Sequence, residues 1–251
     1  MLISVVFVLL GYSVLTFGKI PDDIKLCKVA DLGCIKHTIE DILHRYPNGY
    51  DKLGLTSLEP LHLNNLNVSS KSNSGRSSIQ LNFAFKDINI YGLSESKIVS
   101  AVGFEENPKT SKFEINALVP LMKFTSKYST KGRVLLLPII GDGDCEVNML
   151  NLTTRVKFKP KVKNEPNGVI RISVDKLKVY VEPEEVKLNF ENLFNGNAQL
   201  GKEMNKVINE NWQDVWSELR EGITNGFETV LGSLITEVFH QITYDEFYSK
   251  N

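Results

Sequence analysis

The C-terminal segment constrains this chain most. Between Leu200 and Ile242 apolar residues return every three or four positions: Leu200, Met204, Val207 or Ile208, Trp212, Val215 or Trp216, Leu219, Ile223, Phe227, Val230 or Leu231, Leu234, Val238 and Ile242. That is the period of one helical face, and no proline interrupts it. At 1.5 Å per residue it predicts a helix of about 60 Å, with Gly222, Gly226 and Gly232 as weak points where bends are expected. The stripe is too wide and aromatic for a heptad seam, and charges recur too often for a membrane span. So long a helix buries its stripe within one chain only if a long, strongly curved sheet wraps around it. Such an arrangement leaves room between the layers, and a cavity lined by Phe, Ile, Leu, Val and Trp is dry and favours apolar guests.

The middle of the chain supplies the sheet. "SIQLNFAF" alternates Ile79, Leu81, Phe83 and Phe85 against Ser78, Gln80 and Asn82, and the polar "SSKSNSGRS" before it reads as a loop. Further strand candidates are "INIYGL", "KIVSAVGF", "KFEINALV", "RVLLLPII" and "CEVNML". In "NLTTRVKFKPK" the residues Asn151, Thr153, Arg155 and Lys157 share one face, read as outward, and Leu152, Thr154, Val156 and Phe158 the other. "VIRISV" and "LKVYVEPEEVKLNF" continue the pattern, with a slip of phase near Asp175 and Lys176 that predicts a bulge or bend. The expectation is an α+β fold: a long antiparallel meander curved around the C-terminal helix.

The first residues, "MLISVVFVLLGYSVLTFG", form an apolar run too short for a comfortable membrane span. Residues 1–18 are read as a secretory signal peptide cleaved near Lys19, although the basic n-region is missing and a retained anchor is the alternative. Residues 19–251 then form a single domain of about 230 residues, enough for a substantial core. An oxidising destination favours a disulfide between Cys27 and Cys34 over half of a metal site. From Asp31, a candidate N-cap, Ile35, Ile39, Ile42 or Leu43 and Tyr46 form an amphipathic helical face ending before Pro47-Asn48-Gly49. The bridge pins the incoming chain to that helix, a local constraint of about 2–3 kcal/mol.

A net charge of -1 gives no electrostatic footprint for nucleic acid. Asn67-Val68-Ser69 and Asn151-Leu152-Thr153 are glycosylation sequons, in keeping with secretion. His37 and His44 lie seven apart on the first helix with no third ligand type near them, and His62 and His240 are isolated. "GLSES" and "GDGDCE" fall short of hydrolase and calcium-loop patterns. No catalytic residue, metal or cofactor is expected.

Taken in order, the paired cysteines "C-x6-CI", "LGLTSLEPLHLNNLNV", "DINIYGLS", "VPLMKFTSKYSTKGRVLLLPIIGDGD", "NLTTRVKF", "LFNGNAQLGKEMNKVINENWQDVW" and the closing "ITYDEFY" resemble the insect takeout and haemolymph juvenile-hormone-binding-protein family over essentially the whole mature chain. The resemblance implies a tubular lipid-binding, super-roll architecture, a Cys27–Cys34 disulfide and a secreted carrier of small hydrophobic ligands such as terpenoid hormones or fatty acids. Dedicated hormone binders of the family carry a second bridge near Cys145. The third cysteine here has no fourth to meet, which favours the takeout branch and leaves Cys145 either buried and inert or paired between chains.

For this reading the candidate tunnel residues are Phe83, Phe85, Ile90, Leu136, Met149, Val156 and Val174 from the sheet, with Trp212, Val215, Trp216 and Leu219 from the helix. Periodicity alone does not separate lumen from packed core at any of them. The tryptophans carry indole N–H groups that require a partner and often border the polar ends of pockets. Tyr128 and Tyr180 are hydroxyl candidates, with Tyr180 on the outward parity. The function expected is a monomeric, secreted carrier of a small hydrophobic ligand, without stable membrane insertion; the alternative is a signalling protein with a vestigial cavity and a surface partner.

Overall fold

Two unusually long strands form the spine of this protein. The computed structural model describes residues 20–70, 79–134, 137–165 and 168–249. The candidate signal segment, most of the polar "SSKSNSGRS" stretch and the candidate tunnel residue Leu136 lie outside the described residues. In chain order the elements are α1 (Leu32–Arg45), β1 (Leu61–Ser69), β2 (Ile79–Tyr91), β3 (Lys97–Val102), β4 (Phe113–Val134), β5 (Leu137–Asn164), β6 (Ile170–Glu182), β7 (Glu185–Phe190), α2 (Ala198–Glu210) and α3 (Trp212–Gln241). The fold is α+β, a curved antiparallel sheet with long C-terminal helices.

β4 and β5 pair along almost their whole lengths, from Phe113 opposite Phe158 to Val134 opposite Leu137. The shorter strands divide the outer edges of this ribbon: β2 and β3 pair with different parts of β4, β6 and β7 with different parts of β5, and β1 adds to β2. Both long strands change their buried face at one level. Val119 and Leu152 are buried opposite each other, and so are Met122 and Met149, although the first pair has the other parity. Pro120 and Leu121 on β4, and Leu150 and Asn151 on β5, absorb the change, with Asn151 at φ 46. Register is kept because both strands shift together, so the sheet bends without breaking its ladder. A register shift between Lys159 and Pro160 leaves Asp175 of β6 as the extra residue, at the place where the phase of the sequence slips.

Several strand assignments differ from the sequence reading. "RVLLLPII" is divided between the end of β4 and the start of β5, and "CEVNML" and "NLTTRVKFKPK" run on as one strand, β5. "SIQLNFAF" and "INIYGL" belong to one strand, β2, which carries an irregularity between Lys86 and Asn89 with Asp87 at φ 51. "LHLNNLNV" is also a strand, β1. Its fully buried residues, Leu61 and Val68, have opposite parity, so simple alternation misses it.

The C-terminal run folds as two successive helices with one residue between them. Asn211 ends α2 and begins α3 at φ -117, and its side-chain amide donates to the Val207 carbonyl. A side chain that takes up a helical carbonyl in this way competes with the backbone ladder and favours an interruption. The glycines expected to bend the helix do not interrupt it, since α3 continues through all three. Gly222 and Gly226 instead let β1 approach: a Cβ there would lie 3.0 Å from Val68 Cγ1 and 2.9 Å from Leu66 Cδ1.

Helix side chains finish the open edges of the sheet. Asn209 accepts from the Leu188 N–H at 2.8 Å and donates to its carbonyl at 2.6 Å, and Asn205 does the same for Phe190 at 2.9 and 2.8 Å. Two asparagines one helical turn apart therefore stand in for a strand along β7. Glu228 of α3 accepts from the Val179 N–H of β6 at 3.3 Å, and Glu40 of α1 accepts from the Ile98 N–H of β3 at 2.7 Å.

Candidate ligand tunnel

Between sheet and helices lie two apolar chambers that share a wall. The narrower, about 90 Å³, lies between the first half of α3 and the part of the sheet built from β1, β2, β7 and the β4–β5 ribbon beyond the face change. Of the residues expected to line a tunnel, Phe83, Phe85, Ile90, Met149, Trp212, Val215, Trp216 and Leu219 all border it. The wider, about 360 Å³, lies against the second half of α3, the other part of the ribbon and the N-terminal region. Val156 borders the wider chamber. Ile90, Met122, Phe227 and Val230 border both and form a collar between them.

Val174 has a different surrounding. It packs against a cluster of Phe113, Phe158, Ile172 and Phe239 and borders neither chamber. Its expected place in the tunnel is corrected to packed core, because the bulge at Asp175 changes which β6 side chains reach the lumen. Tyr128 is buried and donates its hydroxyl to the Glu191 carbonyl at 2.6 Å. Burial pushes that phenol up, and the group already serves the fold. Tyr180 is exposed, in keeping with its outward parity.

The sequence reading missed most of the wider chamber. Its wall includes Ile35, Ile39, Ile42 and Leu43 of α1, Ile20 and Ile24 of the preceding segment, and Leu231, Leu234, Ile235 and Val238 of α3. The α1 stripe is visible in the sequence as an amphipathic face, but periodicity does not reveal that it faces a hollow. Asp31 caps α1, accepting from the Cys34 N–H at 3.0 Å, and Cys27 and Cys34 form a disulfide. Cys27 also pairs with Tyr248, and the Ser249 N–H donates to the Cys27 carbonyl at 2.9 Å. The disulfide thus joins three parts of the rim: the entering chain, α1 and the C-terminal residues. The exposed Lys25 is the only charged residue bordering either chamber among the described residues.

No group of three or more His, Cys, Asp and Glu side chains suited to a metal occurs among the described residues, and no described helix is long and apolar enough to cross a membrane. Asn67 and Asn151 are both exposed, and the Asn151 amide donates to Glu184 at 2.7 Å.

The fold has a solved counterpart. Takeout 1 of Epiphyas postvittana superposes with a TM-score of 0.75 at 21% identity, over 89% of this chain and 98% of that one. Two curated relatives are described as circadian clock-controlled protein daywake. The Drosophila melanogaster protein is 23% identical over 232 residues, covering 92% of this chain and 88% of its own length, and the Drosophila yakuba protein is 24% identical over 234 residues, covering 91% and 88%. The family model for haemolymph juvenile hormone binding protein matches residues 3–249. By that match the chain belongs to the haemolymph juvenile hormone binding protein family, whose members are binding proteins and not enzymes.

Proposed function

We propose that this protein is a secreted carrier that encloses a small hydrophobic ligand, a terpenoid, fatty acyl compound or related lipid, in its two-chamber tunnel. The observation that carries this reading is the wider chamber: about 360 Å³ of space bordered almost wholly by hydrocarbon side chains. A void of that size forfeits packing throughout its lining, and an apolar guest restores it. Enclosing about 300 Å² of apolar ligand gives on the order of 7 kcal/mol before association costs, consistent with affinity in the micromolar range. Uptake proceeds at the end of the wider chamber covered by α1, with α1 as the moving part. Membership of a binding-protein family supports the reading, as does the local disulfide, which suits an oxidising compartment. Extraction of the protein purified from a eukaryotic secretion host, followed by mass spectrometry of the extract, is the test. A stoichiometric apolar compound is expected. Recovery of none, together with failure to take up any offered lipid, would favour a signalling protein with a vestigial cavity.

A further inference from the structure

The near-zero net charge of the chain conceals one strongly basic surface. From Arg155 to Lys178 the sequence carries eight basic residues and two acidic ones, Glu165 and Asp175, a net charge of +6 in a chain whose total is -1. This segment is the last part of β5 and most of β6, and their outward side chains form two neighbouring rows. Lys157, Lys159, Lys161 and Lys163 follow one another at every second residue of β5, a row of about 20 Å at the strand repeat. On β6, Lys178 stands opposite Lys157 and Lys176 opposite Lys159. None of these lysines borders either chamber. They cover the outside of a wall whose inner side is Val156, Phe158 and Val179.

Like charges opposite each other on paired strands repel, and two such pairs in succession cost stability. Carboxylates offset this only at the margins. Glu114 of β4 meets Lys157 at 2.9 Å and Arg155 at 3.6 Å, and Glu228 of α3 meets Lys178 at 3.3 Å. Glu165 meets Lys163 at 3.6 Å and Arg171 at 3.3 Å. In the middle, Lys159, Lys161 and Lys176 are exposed and form no ion pair with a described residue. Asp175, in the bulge beside Lys176, is exposed and pairs with none of them.

The shape of the strip decides which polyanion it fits. A bilayer would meet Glu114 and Glu228 along with the lysines, and the segment offers no exposed aliphatic side chain to enter lipid. Nucleic acid is held by forked guanidinium groups and aromatic platforms. Here the one exposed ring is Tyr180, and both arginines are engaged, Arg155 by Asn116 and Glu114, Arg171 by Glu165 and the His240 carbonyl. The free cations are lysines, compact charges that attract anions without demanding a forked partner. A linear polysaccharide bearing sulfate groups matches on each count: it is narrow enough to lie between Glu114 and Glu228, its charges recur along its length, and it needs neither stacking nor insertion.

We infer that the outer face of β5 and β6 binds a sulfated linear polysaccharide, with Lys159, Lys161 and Lys176 as its principal contacts. The inference goes beyond the carrier reading and shares with it only the secreted location, where such a site tethers the protein to matrix or cell-surface glycans while the chambers stay free.

A heparin oligosaccharide of defined length tests it by calorimetric titration. The proteins compared are the wild type, Lys159→Gln/Lys161→Gln/Lys176→Gln, and Lys187→Gln/Lys202→Gln/Lys206→Gln, which removes the same charge from exposed positions on β7 and α2. Wild-type affinity should fall steadily with added salt. The strip variant should lose about tenfold or more and show a shallower salt dependence, since fewer counterions are displaced. It should melt at the same temperature or higher, because opposed like charges have been removed. The β7 and α2 variant should bind as the wild type does, and arginine at the three strip positions should bind at least as well. No heparin binding at physiological ionic strength, or equal losses in the two glutamine variants, would overturn the inference. So would tighter binding to a DNA oligonucleotide of the same charge or to vesicles of phosphatidylserine and phosphatidylcholine in equal parts, or self-association that only the strip variant abolishes. Each of these leaves the carrier reading standing, because no apolar cargo enters the measurement.

Discussion

Burial decides what Cys145 does. It is 5% exposed, and desolvation, aided by the adjacent Asp144 carboxylate, pushes its thiol up from 9.0 to about 12. A thiol held protonated is a poor nucleophile, so native protein should resist iodoacetamide near neutral pH and react once denatured. The same shift has a definite sign in stability. The folded state holds the proton more firmly than the unfolded chain, so this contribution is complete below about pH 9 and is lost as pH rises from there toward 12. The melting temperature of the wild type should therefore fall more steeply between about pH 9 and 11 than that of Cys145→Ala. Residue chemistry of this kind was partly legible in advance. An unpaired cysteine in a chain with no fourth pointed to a buried thiol as one of two options, and both indoles were known to need partners. That Trp212 borders a polar surface groove while the Trp216 N–H finds no partner among the described residues depends on where each side chain comes to rest.

At the scale of elements, strand edges are closed by polar side chains from helices. Asn205, Asn209, Glu228 and Glu40 read in the sequence as ordinary solvated helix positions, because the backbone groups they meet lie on strands distant in the chain. Helix periodicity identifies a polar face and says nothing of what it touches. The clasp on α1 bears on function. Glu40 holds the Ile98 N–H, and His44 donates from Nε2 to the Ser96 carbonyl at 3.1 Å, so both fasten α1 to β3 over the wider chamber. Replacing both by alanine should raise the stopped-flow uptake rate of a fluorescent fatty-acyl probe several-fold and lower stability by about 1–3 kcal/mol. An unchanged uptake rate in a folded double variant would remove α1 as the moving part. The disulfide holds the first turn of α1 to Cys27, which is itself paired with Tyr248, so the expected motion is a swing of the later turns of α1 about that anchored end.

For the molecule as a whole, the volume of the hollow sets which ligands fit. Leu234 borders only the wider chamber. Leu234→Trp should fill part of it, shorten the longest acyl chain retained in extracts, weaken long fatty acyl compounds at least several-fold in titrations, and leave thermal stability equal or higher, because an apolar void is being filled. The helical stripe from Leu200 to Ile242, the alternation of β2 and of the "NLTTRVKF" stretch, and the Asp31 cap were determined by the sequence itself, because they follow from periods of 3.6 and 2 and from capping chemistry that act within a few residues. The break at Asn211, the paired change of face at Pro120 and Asn151, the removal of Val174 from the lumen and the division into two chambers were decided only by tertiary structure. A cavity is the space left where side chains from strands and helices far apart in the chain fail to meet, so no local period encodes it.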